Sequence, residues 1–327
     1  MKHIINDKKI AIEAMLHSYQ FEHQGRLSID LKDHIIYYKK DSGVSLISGG
    51  GSGHEPAHFG YVGKGMLTAS VNGALFTPPY PDRIMRAVEL TDNGDGVLFI
   101  VKNFASDVEM FTEAKKRAEA SGHKVEMVIV CDDVSVENKD TYSKRKRGVA
   151  GTVLAHKILG YFSQIGKSLT ELKVIADEFI PHLYTLGVAL SSAELPNTDR
   201  FFSLGENEVY YGIGIHGEKG YRKESFESSE QLAIELYNKL KKLHQFKQGE
   251  HYAFLINGLG ATPLLEQYVF THDIQRLAVL DKINIDFIKT GTQLSSYNMQ
   301  GISLTCLKLT DPLFEIALQA DVDASHW

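Results

Sequence analysis

Short β-rich runs that stop at glycines alternate with longer runs of helical period, and this alternation limits the chain to a sheet covered by helices. "VSLISGG", Val44–Gly50, reads as a strand ending in glycines. "GVLFIVKNF" is a second strand, followed by "SDVEMFTEAKKRAEASG", whose apolar spacing near 3.6 and terminal glycine predict a helix. "KVEMVIVCDDV" is a third strand that ends in paired aspartates, and "AGTVLAHKILGYFSQIG" is a further helix. Beyond about residue 183 the texture changes. "EVYYGIGIHGEKG" alternates and ends in glycines, "SSEQLAIELYNKLKKLHQF" is amphipathic, and "GISLTCLKL" is a late strand. The expectation is an α/β protein of two α/β domains with mixed sheets covered by helices, residues 1–183 and 184–327. A chain of 327 residues is long enough for two cores.

Composition excludes several classes. Apolar residues make up 43% and charged residues 23%, a globular balance. A net charge of −6 offers no footprint for direct binding of nucleic acid or an anionic membrane. The one basic cluster, "SKRKRG" at Ser143–Gly148, is too short to change that. Cys131 and Cys306 lie far apart in apolar runs and read as buried free thiols. The N-terminus has no apolar core of a signal peptide, and no run reaches the ~20 apolar residues of a membrane span. A cytoplasmic location is expected.

"LISGGGSGHEPAH", Leu46–His58, raises three chemistries. As zinc-binding H-E-x-x-H it needs both histidines on one helical face, yet Pro56 between them leaves His54 outside any helix that starts there. No metal is expected. As a phosphate loop it fails too, because neither it nor "GYFSQIGKS" has the required spacing. The remaining reading is a ligand loop. Glycines at a strand end let backbone N–H groups approach a ligand, and open α/β sheets bind ligands beyond their strand ends. "VKNFASD" would bring Lys102 and Asp107 to the same edge. In "YYGIGIHGEKG" three glycines surround His216, an odd strand unless something approaches closely, and such a histidine is a candidate nucleophile or base.

Taken together, "SGGGSGHEPAHFGYVGKGMLTA", "VKNFASD", "KRGVAGTVLAHKI", "GIGIHGEKG" and "NGLGATPLLE" resemble the dihydroxyacetone kinase DhaK family nearly end to end. The resemblance implies a homodimer that needs no cofactor of its own. It also implies that dihydroxyacetone is held as a covalent hemiaminal on His216. Ligand contacts would fall on Gly51, Ser52, Gly53, His54, Lys102 and Asp107, with His54 and Asp107 handling protons in a kinase. Departures from the kinase pattern lie elsewhere. "FTPPYPD" carries Pro78 and Tyr80, "LSSYNMQG" carries Tyr297 and Asn298, and "TYSKRKRGVAG" has lost a common leucine and glycine. Retained ligand residues beside an altered docking face favour a sensor that coactivates a TetR-like regulator of a dihydroxyacetone operon. The alternative is a kinase subunit that works with a nucleotide-bearing partner.

Overall fold

The computed structural model describes residues 3–7, 9–135, 146–196 and 200–327. Two compact units emerge, and the chain passes between them more than once. The first holds residues up to Val130, Val153–Asp177 and Ala320–Trp327; the second holds Cys131–Thr152 and Glu178–Gln319. The sequence expectation placed a single crossing at 183/184; the main crossing falls at 177/178, and two further segments change sides. Local bonds explain both. The Asp132 carboxylate accepts from the backbone of Val149 and Gly151 and ties that segment to Thr185 of the second unit. The C-terminal tail is drawn back onto the first unit by Arg26–Asp323 at 2.7 Å and by His326 N–H on the Gly60 carbonyl.

The first unit begins with helix α1 (Ala11–Glu22) and carries a six-stranded mixed sheet. Its strands are β1 (Ser28–Asp30), β2 (Ile35–Tyr37), β3 (Ser45–Ser52), β4 (Ala69–Leu75), β5 (Val97–Lys102) and β6 (Val125–Val130), in the order β1-β2-β4-β3-β5-β6. Strands β3, β4, β5 and β6 run parallel, while β1 and β2 are antiparallel additions at one edge. The near-continuous apolar run of β5 and the almost unbroken burial of β3 reflect cover on both faces, as parallel strands under helices require. Helix α2 (Pro81–Thr91) opens with proline at its first position, where the missing N–H costs nothing, and buries Ile84, Ala87 and Val88. Helix α3 (Ala105–Ala120) buries Phe111, Ala114 and Ala118 in the same core as Phe99 and Val101.

Helix α4 (Gly151–Gln164) and helix α5 (Leu169–Phe179) lead into the second sheet. That sheet comprises β7 (Leu183–Ala189), β8 (Glu208–Tyr211), β9 (Arg222–Ser225), β10 (His251–Gly258), β11 (Asn284–Gly291) and β12 (Gly301–Lys308). The order is β11-β10-β12-β7-β8-β9, with only the β10–β11 pair parallel. Helices α6 (Ser229–His244) and α7 (Leu264–Asp281) cover one face: Leu236, Tyr237, Phe270 and Ile274 pack against Tyr252, Phe254 and Ile256. Ser228 caps α6 by accepting from Gln231 N–H at 3.2 Å, and Gln245 closes it in the left-handed conformation. The last helix, α8 (Pro312–Gln319), buries Phe314, Ala317 and Leu318. Both units are therefore mixed sheets covered by helices, as the alternation of the sequence predicts.

Candidate functional site

Strand β3 lies at the middle of the first sheet, between β4 and β5, and ends in Gly49-Gly50-Gly51-Ser52. The glycines are required, but much of the space they clear is taken by the protein itself. A Cβ on Gly50 would sit 2.5 Å from Lys102 Nζ and 3.3 Å from Asp107 Oδ1, and one on Gly51 would sit 2.5 Å from the backbone N of Thr77. Ser52 lies past a register shift and donates its hydroxyl to the Gly73 carbonyl at 2.8 Å. Gly53 has φ +103°, a conformation that suits glycine, and its N–H bonds the Glu55 carboxylate at 2.8 Å. Burial raises the Glu55 carboxyl above its ordinary range. His54 is 1% exposed and stacks on Phe76 with centroids 4.8 Å apart and planes 3° from parallel.

Lys102 is the last residue of β5, and Asp107 occupies the first turn of α3. Both are buried, and Lys102 Nζ lies 3.9 Å from Asp107 Oδ1. The ammonium also donates to the Gly49 carbonyl at 3.2 Å and meets His58 Nε2 at 2.7 Å. His58 Nδ1 in turn lies 2.9 Å from His156 Nε2 on α4. A donor at one end orders the chain: Lys102 fills the Nε2 lone pair of His58, so His58 carries its proton on Nδ1 and donates to His156. Burial, reinforced by the Lys102 charge, holds the His58 imidazole well below its ordinary pKa and brings His156 down to about 3. Burial lowers Lys102 as well, against the pull of Asp107.

His58 was legible in the sequence only as half of a zinc string, and His156 was not singled out. The segment from His54 to His58 is a set of turns that runs into a short 3-10 turn at Phe59–Tyr61, so the two histidines do not share a helical face. Among the described residues, no group of three or more His, Cys, Asp or Glu gathers as a metal site. The signal for His156 was present in "KRGVAGTVLAHKI", whose helix puts a histidine and a lysine in a buried apolar run, where polar groups need partners.

In the second unit, β8 stops at Tyr211, and His216 stands in the loop that follows, on no strand. What approaches the glycines here is again the chain itself. A Cβ on Gly214 would collide with the carboxylate of Glu218 and the guanidinium of Arg147, and one on Gly217 with the Phe201 ring. Glu218 reaches back over two residues. Its Oε2 accepts from the His216 backbone N–H at 2.9 Å, and its Oε1 lies 3.3 Å from His216 Nδ1. Burial alone would raise Glu218, but the His216 bond and the nearby Arg147 charge outweigh it and bring it down to about 2. Arg147 belongs to the basic cluster. It bonds Asp133 at 2.5 Å, Ser135 Oγ at 2.8 Å and the Gly212 carbonyl at 2.9 Å. Lys146 beside it is buried and lies 4.3 Å over the Tyr184 ring, while Ser143, Lys144 and Arg145 lie outside the described residues.

Pro78 and Tyr80 lie in the loop between β4 and α2, and Tyr297 and Asn298 form a turn. Tyr80 caps the N-terminus of α2 and is 69% exposed. Asn298 adopts φ +60°, which asparagine tolerates better than most residues. Two residues before it, Ser296 is fully buried and donates to the Ile215 carbonyl at 2.6 Å, so "LSSYNMQG" pins the residue next to His216. Cys306 is buried and Cys131 half-buried, and burial raises both thiols.

Comparison with known proteins bears on the family and the fold. The Dak1 domain matches residues 18–326. The dihydroxyacetone-binding subunit DhaK of the PTS-dependent dihydroxyacetone kinase of Lactococcus lactis subsp. lactis (strain IL1403) is 45% identical, over 99% of this chain and 98% of its own length. The DhaKLM operon coactivator DhaQ of the same strain is 48% identical over 87% of each chain. Among solved structures, the dihydroxyacetone kinase operon co-activator Dha-DhaQ superposes with TM-score 0.91 at 44% identity, covering 96% of this chain and 98% of that one. The dihydroxyacetone kinase of C. freundii superposes with TM-score 0.90 at 33% identity, covering all of this chain and 60% of that one. From the sequence motifs, the two sheets and these matches, the chain belongs to the Dak1 family of DhaK and DhaQ proteins.

Proposed function

We propose that this protein is a dihydroxyacetone-binding sensor, a coactivator that carries ligand occupancy to a TetR-like regulator. His216 forms the hemiaminal, and Gly51, Ser52, Gly53, His54, Lys102 and Asp107 serve the ligand's oxygens. The observation that carries the reading is the His216 loop, where glycine-cleared backbone holds a carboxylate against one ring nitrogen of a histidine. An imidazole held in this way can add to a ketone carbon. Glycerol has no carbonyl and cannot form the bond, so chemistry discriminates where one hydrophobic contact contributes only about 1–3 kcal/mol. Lys102 supplies donors and Asp107 an acceptor for hydroxyls.

The coactivator branch is supported by the 48% identity to DhaQ and by the altered segments at Pro78–Tyr80 and Tyr297–Asn298. A second reading is the dihydroxyacetone-binding subunit of a kinase, favoured by the end-to-end 45% match to the Lactococcus DhaK. In that case His54 and Asp107 would manage the substrate's hydroxyl protons. The sensor reading takes the protein to be a cytoplasmic homodimer that touches DNA only through its partner. No helix among the described residues is long and apolar enough to cross a membrane.

A coupled phosphorylation assay with the nucleotide-bearing subunit from the same genome separates the two. The sensor leaves dihydroxyacetone unphosphorylated. Instead, ligand raises its affinity for the regulator, an effect that His216→Ala removes. Turnover that Asp107→Asn abolishes would establish the kinase subunit in its place.

A further inference from the structure

We propose that Glu218, clamped by Arg147, is the positioning residue that sets the tautomer of His216, with the proton on Nδ1 and the lone pair on Nε2, and that it meets the charge that develops on the ring during addition. The proposal rests on the reading of His216 as the hemiaminal residue, and goes beyond it by naming the group that orients and prepares its ring.

The geometry points there from both directions. Glu218 grips its histidine twice, through the backbone N–H at 2.9 Å and the ring nitrogen at 3.3 Å, so loop and ring are oriented together. An ionised carboxylate only accepts, which places the proton on Nδ1. Glu218 is itself held. Arg147 Nη1 lies 3.8 Å from its Oε2, and the rest of the guanidinium is fixed by Asp133, Ser135 and the Gly212 carbonyl. Asp133 is 3% exposed, and its N–H bonds the Arg147 carbonyl at 3.0 Å, so the clamp is anchored in the unit's interior. Gly214 has no room for a side chain because the carboxylate and guanidinium meet over it. Ser296 holds the Ile215 carbonyl at 2.6 Å.

The addition step balances. The Nε2 lone pair bonds to the ketone carbon, and the C=O π electrons move to oxygen, which takes up a proton. The ring becomes cationic, faces the Glu218 carboxylate, and loses its Nδ1 proton to solvent. The product is the neutral hemiaminal, with no atoms lost.

The test uses the full-length protein with histidine ¹⁵N label, at mildly alkaline pH, without ligand and then with dihydroxyacetone. Wild-type His216 should show the Nδ1–H tautomer and form one adduct per chain. Glu218→Gln offers an amide where every neighbour donates. It should mix the tautomers and slow adduct formation by about 100-fold, the lower range for losing a positioned proton-handling group. Arg147→Lys should give an intermediate rate, since it keeps the charge and loses the fork. A single Nδ1–H signal and an unchanged rate in Glu218→Gln would overturn the proposal. A wild-type protein that forms no adduct, or an adduct that survives His216→Ala, overturns the hemiaminal reading first, and the wild-type and His216→Ala controls distinguish that failure from failure of the Glu218 role. Should Glu218→Gln lose its fold in circular dichroism, Glu218→Asp keeps the charge; it should retain the tautomer, and losing it while folded would count against the proposal.

Discussion

Lys102 Nζ stands 2.7 Å from His58 Nε2, and through that contact a buried ammonium fixes the protons of two buried imidazoles. The Lys102 side chain is 1% exposed and shares its site with a carboxylate 3.9 Å away. Isolated charges are costly there, so each group depends on its neighbours.

Lys102→Met should therefore destabilise the protein by about 3 kcal/mol, the loss expected when one member of a buried ion pair is removed and the other stays. Urea unfolding followed by circular dichroism measures it. An unchanged midpoint would mean that Asp107 draws little from Lys102.

His156 gives a pH dependence. Its folded value is about 3 against 6.5 for an ordinary histidine, so between those values the unfolded chain binds the extra proton. The contribution to stability is fully present above pH 6.5 and is lost as pH falls toward 3, with a total on the order of 5 kcal/mol. His156→Gln keeps an acceptor for His58 but does not titrate. Its unfolding free energy should fall less between pH 7 and pH 5 than that of the wild type, and equal slopes would refute the assignment.

Gly50→Ala should leave the fold recognisable but displace Lys102 and Asp107, because the new Cβ would stand 2.5 Å from Nζ. Overpacking of this kind costs about 1–3 kcal/mol. The expected signature is weakened dihydroxyacetone binding in calorimetry with a native circular dichroism spectrum.

Intact-mass spectrometry tests the ligand chemistry. Dihydroxyacetone should add its whole mass, since a hemiaminal loses no water, and glycerol should add none. His216→Ala should remove the adduct. An adduct mapped to a lysine would replace the histidine mechanism with a different one.

Much of this protein was determined by its sequence alone. The glycine-ended run Val44–Gly50, the apolar run in "GVLFIVKNF", the helical period of "SDVEMFTEAKKRAEASG" and the amphipathic pattern of "SSEQLAIELYNKLKKLHQF" are local signals, and each became the element it predicts. The glycines around His216 announced a close approach. What makes that approach, the Glu218 carboxylate and Arg147, lies two residues along the loop and sixty-nine residues upstream, and spacing cannot report a contact of that second kind. His58 and His156 met 98 positions apart because helix α4 brings a histidine to the turn that follows the glycine strand. The division of the chain was likewise decided by tertiary structure. Asp132 finds its partners in Val149, Gly151 and Thr185, and a buried carboxylate stays where its donors are, whatever the order of the sequence around it.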